Sequence, residues 1–100
     1  MFGKNPIRNA LEPPPIADHV EATEVLRVWA APGSPQQLTL RTTWQDAGAW
    51  GLLLVDVARH AAAAYASEGK DPKVVLTRIR ELFDAEWGNP TDEPKNITPR

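Results

Sequence analysis

The sequence predicts an α+β fold in which an antiparallel β-hairpin is followed by two amphipathic α-helices, in the order β-β-α-α. Three observations lead to this prediction. Two strand-like segments flank a turn rich in proline and glycine, a long apolar helical pattern ends at a glycine, and a second helical pattern carries clear start and stop signals. The chain has 100 residues, a length that is typical of one domain.

The predicted hairpin is built around a turn at residues 32–35, Pro-Gly-Ser-Pro. Residues 24–31 are rich in β-branched and aromatic side chains, and residues 37–43 alternate between apolar and polar ones. A two-stranded sheet is barely stable alone, so we expect the helices to cover its apolar face. Its edges carry unpaired backbone groups, to which either the N-terminal arm or a second subunit can bind.

The register of the hairpin follows from the alternation of its side chains. Leu26 and Val28 share one face of the first strand, and Leu38 and Leu40 share one face of the second. Both sets lie on the same side when, for example, Val28 is opposite Leu38 and Leu26 is opposite Leu40. This register predicts a connection of about five residues.

The first helix is predicted to begin near Asp46, which is a good N-cap, and to stop at Gly69. Its apolar side chains cover an arc of roughly 220°, which is wider than a one-sided surface helix shows. Part of this arc is a strip of small residues: Gly51, Val55, Ala58, Ala62 and Ala66. We therefore expect cover from two directions, by the sheet and by another helix that approaches the strip closely.

The second helix has Asp71 as its predicted N-cap and Pro72 at its first position, and residues 87–90, Trp-Gly-Asn-Pro, end it. Its apolar arc spans about 140°, which is typical of a helix covered on one side. Arg80 and Asp84 are spaced for an i,i+4 ion pair on the opposite side.

Proline marks both ends of the chain. Seven of the ten prolines lie before residue 21 or after residue 88. We therefore predict an extended or mobile N-terminal arm at residues 1–20, a single α+β domain at residues 21–88 and a mobile C-terminal tail at residues 89–100. A domain of that size is marginally stable alone, so either the arms pack back or a second copy binds. We favour a homodimer.

Composition excludes several classes of protein. The formal net charge is −2, which gives no long-range attraction for nucleic acid or anionic lipid. The chain has no cysteine, hence no disulfide and no thiol nucleophile. The N-terminus does not resemble a signal peptide, and the longest apolar stretch, residues 47–55, is too short to span a bilayer. These features favour a soluble, cytoplasmic protein with no membrane partner.

The two histidines are candidate chemical groups. Asp56 and His60 share one stripe of the first helix, bordered by Arg59, and a carboxylate that orients an imidazole can prepare a general base. We favour a solvated ion pair, since no nucleophile accompanies them. His19 lies near Asp18 and other acidic residues, but their spacing matches no metal motif. We predict no metal and no cofactor.

The outer face of the hairpin carries the most suggestive combination. Trp29 lies between Arg27 and Arg41, so an aromatic platform is combined with cations. This pairing suits a planar ligand, a nucleobase or an acidic partner. Together with Arg59 they form the predicted ligand or partner surface. We favour burial of Trp29 under the N-terminal arm or a second subunit, and we consider nucleic-acid binding a weak alternative.

Part of the sequence resembles a family of small bacterial proteins. Residues 44–51, Trp-Gln-Asp-Ala-Gly-Ala-Trp-Gly, lead into Leu-Leu-Leu-Val-Asp56 and Ala58-Arg59-His60, with Tyr65 following. Together with residues 83–90 and the hairpin, they are similar to proteins of about a hundred residues, of alphaproteobacterial type and unknown function. The resemblance implies a bacterial α+β domain and brings no activity or site residues.

The sequence is compatible with three functions. The first is a non-enzymatic interaction module that self-associates and can also bind another protein. The second is a ligand-binding protein or minor enzyme that uses Asp56, Arg59 and His60 in a pocket between the sheet and the first helix. The third is nucleic-acid binding through Trp29 and its two arginines. We favour the first, because it needs only a small core, a wide apolar arc and an open sheet edge.

Overall fold

The computed structural model describes residues 7–90, and every structural statement below concerns that part of the chain. It contains a 3-10 turn, two strands and two helices, which we name η1 (Pro15–Asp18), β1 (Leu26–Ala31), β2 (Ser34–Leu40), α1 (Gly48–Ser67) and α2 (Pro72–Trp87). The predicted order β-β-α-α is therefore confirmed. The hairpin and the helical pair belong to two compact units that meet in the chain between Arg41 and Thr42.

The proposed division into arm, domain and tail stays a prediction. Within the predicted arm, η1 forms one turn of 3-10 helix after a proline at position 14. Residues 1–6 of that arm and residues 91–100 of the predicted tail lie outside the described residues.

The hairpin register matches the prediction. Leu26 pairs with Leu40 and Val28 pairs with Leu38, so the apolar side chains of both strands share one face. Val25 continues the ladder by accepting a hydrogen bond of 3.0 Å from the Arg41 backbone N–H. The alternation of side chains was sufficient to predict this register. The apolar side chains of both strands lie on one face only when the numbers of two opposed residues add to an even number.

The turn differs from the prediction. The strands are joined by two residues, Pro32 and Gly33, and Gly33 has a φ of +78°. The tight turn keeps the predicted register because the ladder shifts between Trp29 and Ala31, where two β2 residues lie opposite one β1 residue. The expected five-residue connection was therefore wrong. The predicted strand bounds were also shifted, since β2 begins at Ser34 and ends at Leu40.

An aspartate lies at the start of each helix: Asp71 is the N-cap of α2, as predicted, whereas the N-cap position of α1 is Ala47, one residue after the predicted Asp46. The Asp46 carboxylate accepts a hydrogen bond of 2.8 Å from the Gly48 N–H, the first residue of α1. The Asp71 carboxylate accepts one of 2.9 Å from the Lys73 N–H, and Pro72 occupies the first turn of α2. These side chains satisfy backbone donors that have no partner inside the helix.

α1 ends in a Schellman motif around Gly69. The Gly69 N–H donates to the Ala66 carbonyl at 3.0 Å, and the Lys70 N–H donates to the Tyr65 carbonyl at 3.1 Å. Gly69 has a φ of +94°, which a residue with a side chain adopts only under strain. The glycine thus ends the helix, as its position in the sequence predicted.

The two helices pack on each other along a line of alanines. Ala62 is 2% exposed, and it is the buried side chain among the described residues. Ala58 and Ala66, one turn away on either side, are half-buried, as are Val75 and Ile79 of α2. α1 and α2 contact each other, and the burial of Ala62 between half-buried Ala58 and Ala66 indicates that α2 covers this part of the small-residue strip, while Gly51 and Val55 remain exposed. Neither helix is long and apolar enough to cross a membrane.

Replacing Gly69 with alanine is expected to lower the free energy of unfolding by about 1 kcal/mol, because the side chain would be held at a positive φ. No atom lies within 4 Å of the new Cβ, so the loss reports backbone strain alone. Gly88 is the matched control, since it follows α2 at a φ of −95° with equal space around it. In the Gly88→Ala variant, the free energy of unfolding should change by less than about 0.5 kcal/mol, measured by urea unfolding followed by circular dichroism. Equal losses would contradict this account.

Candidate functional site

Asp56 and His60 lie together on the outer side of α1. His60 Nδ1 is 2.8 Å from the Asp56 backbone carbonyl oxygen and 3.5 Å from the carboxylate Oδ1. A carbonyl oxygen only accepts, so Nδ1 carries the proton in this contact and Nε2 points to an open position. The backbone bond fixes the ring, and the carboxylate adds an ion pair when the imidazole is protonated.

The surroundings of this pair are open. The His60 side chain is 79% exposed and that of Asp56 is 65% exposed, while Arg59 is also exposed on the neighbouring side of the helix. Two shallow depressions on the described surface are lined by other residues. The geometry is that of an i,i+4 surface pair, in which solvent screens the charges. Use of these three residues in a pocket stays a prediction.

The polar face of the hairpin is organised by cross-strand pairs. Arg27 lies opposite Thr39, and Trp29 lies opposite Gln37. The Trp29 side chain is 37% exposed, so the chain by itself leaves part of the indole open to solvent. Arg41 follows β2 at the same end of the hairpin as Arg27. The burial of Trp29 by a second subunit stays a prediction.

Arg27 has an acidic partner that the sequence did not indicate. Its Nε and Nη2 atoms donate to Glu24 Oε2 at 3.3 and 3.2 Å. In a strand over residues 24–31, positions three apart would point to opposite faces. β1 begins only at Leu26, so the chain at Glu24 is free to bring the carboxylate to the arginine. This pair offsets the positive charge on which a nucleic-acid surface would depend.

The tryptophans at the helix ends stabilise local structure. Trp44 and Trp50 meet edge to face with ring centroids 5.5 Å apart, and the Trp50 Nε1–H donates to the Thr42 carbonyl at 3.1 Å. Trp87 stacks on Phe83 at 5.4 Å, yet it remains 76% exposed. Trp44 and Trp50 therefore contribute packing at the start of α1, and Trp87 is a surface aromatic.

The acidic segment around His19 forms a local turn. His19 Nδ1 accepts a hydrogen bond of 3.0 Å from the Glu21 backbone N–H. Among residues 7–90, no three His, Asp or Glu side chains lie close enough together to hold a metal ion. One ring nitrogen is therefore engaged within its own turn.

A shallow depression on α2 was not predicted. It is lined by Lys73, Val74, Thr77, Arg78 and Glu81. Arg78 Nη1 donates to Glu81 Oε1 at 3.1 Å, and the predicted pair of Arg80 and Asp84 is confirmed at 2.9 Å. The sequence pattern shows these positions only as the polar side of a helix, without indicating which of them flank a depression.

The molecule thus belongs to the class of small α+β proteins with a hairpin followed by a helical pair, whose candidate functional side chains lie on open surface. The chain belongs to the DUF5076 family, a domain of unknown function, whose sequence profile matches residues 10–91. This confirms that the chain belongs to a family of unknown function, as the resemblance implied. A search of curated proteins found no match.

A solved structure is also similar. It is described as that of a "putative pyruvate dehydrogenase from the photosynthetic bacterium Rhodopseudomonas palustrus CGA009". The two chains are 37% identical, and the alignment covers 96% of this chain and 98% of the other, with a TM-score of 0.72. At that identity and coverage the likeness extends over nearly the whole fold.

Replacing Asp56 with alanine is expected to change the free energy of unfolding by less than about 0.5 kcal/mol, because the pair with His60 is exposed. The same substitution at Asp71 should cost about 1 kcal/mol, because it removes the hydrogen bond that caps α2. Both residues are exposed aspartates, so each variant serves as a control for the other in urea unfolding. A larger loss at Asp56 would show that the pair is more than a surface contact.

Proposed function

We propose that this protein is a small, non-enzymatic interaction module that works as a homodimer. The support comes from how little apolar surface the described chain buries. Ala62 is buried, while sixteen large apolar side chains in residues 7–90 are exposed. Singly exposed apolar residues are ordinary, but a small domain that leaves most of its large ones open lacks the core that a stable monomer needs.

The exposed apolar side chains are concentrated on the regular elements. On α1 they are Leu52, Leu54, Val55, Val57 and Tyr65, and on α2 they are Val74, Leu82, Phe83 and Trp87. Exposed apolar patches are typical of protein contact sites, and this number of exposed apolar side chains favours a contact through the helices. Covering it with a second copy would supply the burial that one copy lacks. A further protein partner is compatible with the same surface.

Catalysis receives less support. The candidate catalytic pair in the described part of the chain, Asp56 and His60, is open to solvent, and a general base works best when its surroundings exclude water. The pyruvate dehydrogenase name of the similar structure is therefore not extended to this chain. We place the module in the cytoplasm, in keeping with its cysteine-free composition.

Light scattering after size-exclusion chromatography should give a mass of about 22 kDa, twice the 11.0 kDa of one chain. The midpoint of thermal unfolding should rise with protein concentration, because dimerisation stabilises the folded state by mass action. Both measurements are made on the full chain between micromolar and millimolar concentrations. A mass of 11 kDa throughout, with a constant midpoint, would overturn the proposal.

A further inference from the structure

We propose that two copies of this chain pair through the outer edges of β1 and form one four-stranded antiparallel sheet, with a twofold axis at Val28. The inference rests on the self-association proposed above and specifies how it occurs. It depends on which backbone groups point outward, on the continuity of the β1 edge and on the side chains that the pairing would oppose.

The ladder fixes the direction of each backbone group in β1. Val25 accepts a hydrogen bond from Arg41, so this opposed pair is a hydrogen-bonded one. Hydrogen-bonded and non-hydrogen-bonded pairs alternate along an antiparallel ladder, so Arg27 and Trp29 also direct their backbone groups toward β2. The N–H and C=O groups of Leu26, Val28 and Ala30 therefore point away from β2, along an edge that pairs with no other strand of residues 7–90.

Of the two outer edges of the hairpin, that of β1 is better suited than that of β2 to pair with a further strand. Every residue from Leu26 to Ala31 carries a backbone N–H. β2 contains Pro35, which has no N–H, and it bulges opposite Ala30. Prolines and bulges protect an edge from pairing. Residues 26–31 of β1 contain no proline, and the extra residue of the bulge belongs to β2.

Of the registers centred on Arg27, Val28 or Trp29, the one centred on Val28 suits two identical β1 strands best. Placing Val28 opposite Val28 of the second copy pairs Leu26 with Ala30 on both sides, so all outward N–H and C=O groups are matched. Moving the axis to Arg27 would place two arginines directly opposite each other, which is unfavourable. Moving it to Trp29 would place Leu26 opposite Pro32, which cannot donate.

The favoured register is complementary in its side chains. It places Arg27 opposite Trp29 of the second copy at a non-hydrogen-bonded position, where side chains come closest. The edge of the guanidinium is engaged by Glu24 of its own chain, so its planar face can stack on the indole. Glu24 also reduces repulsion between the two arginines. The apolar faces of both hairpins then join into one, and a four-stranded sheet is far more stable than two strands.

Hydrogen exchange by NMR on the full-length protein tests the backbone pairing directly. The Val28 N–H should be protected at millimolar concentration and should exchange at least tenfold faster after dilution into the monomer range. The Trp29 N–H, which faces β2 in each copy, is the internal control and should respond less. If the protein is a dimer and the Val28 N–H remains unprotected, this mode of pairing is overturned while the proposed function stands. A monomer at every concentration would overturn both.

Charge substitutions test the register. Trp29→Arg places arginine opposite Arg27 across the axis, and we expect the dimer dissociation constant to rise about tenfold or more. Gln37→Arg adds the same charge on β2, on the face that Trp29 shares but away from the axis. This control should change the dimer dissociation constant by less than about threefold. The exchanged variant Arg27→Trp with Trp29→Arg restores opposite pairing and should recover most of the affinity. Equal weakening by the first two variants, each shown to be folded by circular dichroism, would contradict the register.

Discussion

Scarcity of buried apolar surface is the constraint on which the organisation of this protein depends. In the helical pair α1 and α2 are in contact, and of the described residues only Ala62, which lies between half-buried Ala58 and Ala66, is buried. Alanines allow the helix backbones to approach but bury little area per residue. Local interactions therefore contribute a larger share of each element's stability: the aspartate hydrogen bonds at the helix starts, the Schellman turn and the paired tryptophans. The same scarcity leaves apolar side chains available for a second molecule.

Much of the fold could be predicted because its signals are local. The cap at Asp71, the stop at Gly69 and the face shared by Leu26 and Leu40 each depend on residues within a few positions or on strict alternation. The turn could not be predicted in the same way. A bulge changes the residue count on one strand only, and sequence alternation near Pro35 does not distinguish a bulge from a longer loop.

The candidate site was predicted as residue types rather than as geometry. Spacing alone correctly brought Asp56 beside His60, because a helix places positions four apart on one side. Spacing cannot say whether that side is recessed, and the exposure of both side chains depends on what the rest of the fold covers. The Glu24 partner of Arg27 was missed for a related reason, since it depends on where β1 begins, and strand ends are poorly marked in this sequence.

The bulge opposite Ala30 also determines where the hairpin can change length. A two-residue turn without a bulge would oppose Val28 to Gln37 and mix apolar with polar side chains on both faces. Loss of Pro35 would leave one β2 residue opposite Ala30 and keep every pair from Trp29 onward unchanged. Loss of one residue further along β2 would reverse the faces of all residues beyond it. A single-residue deletion is thus tolerated at the bulge, and homologous hairpins should differ in length there before they differ elsewhere.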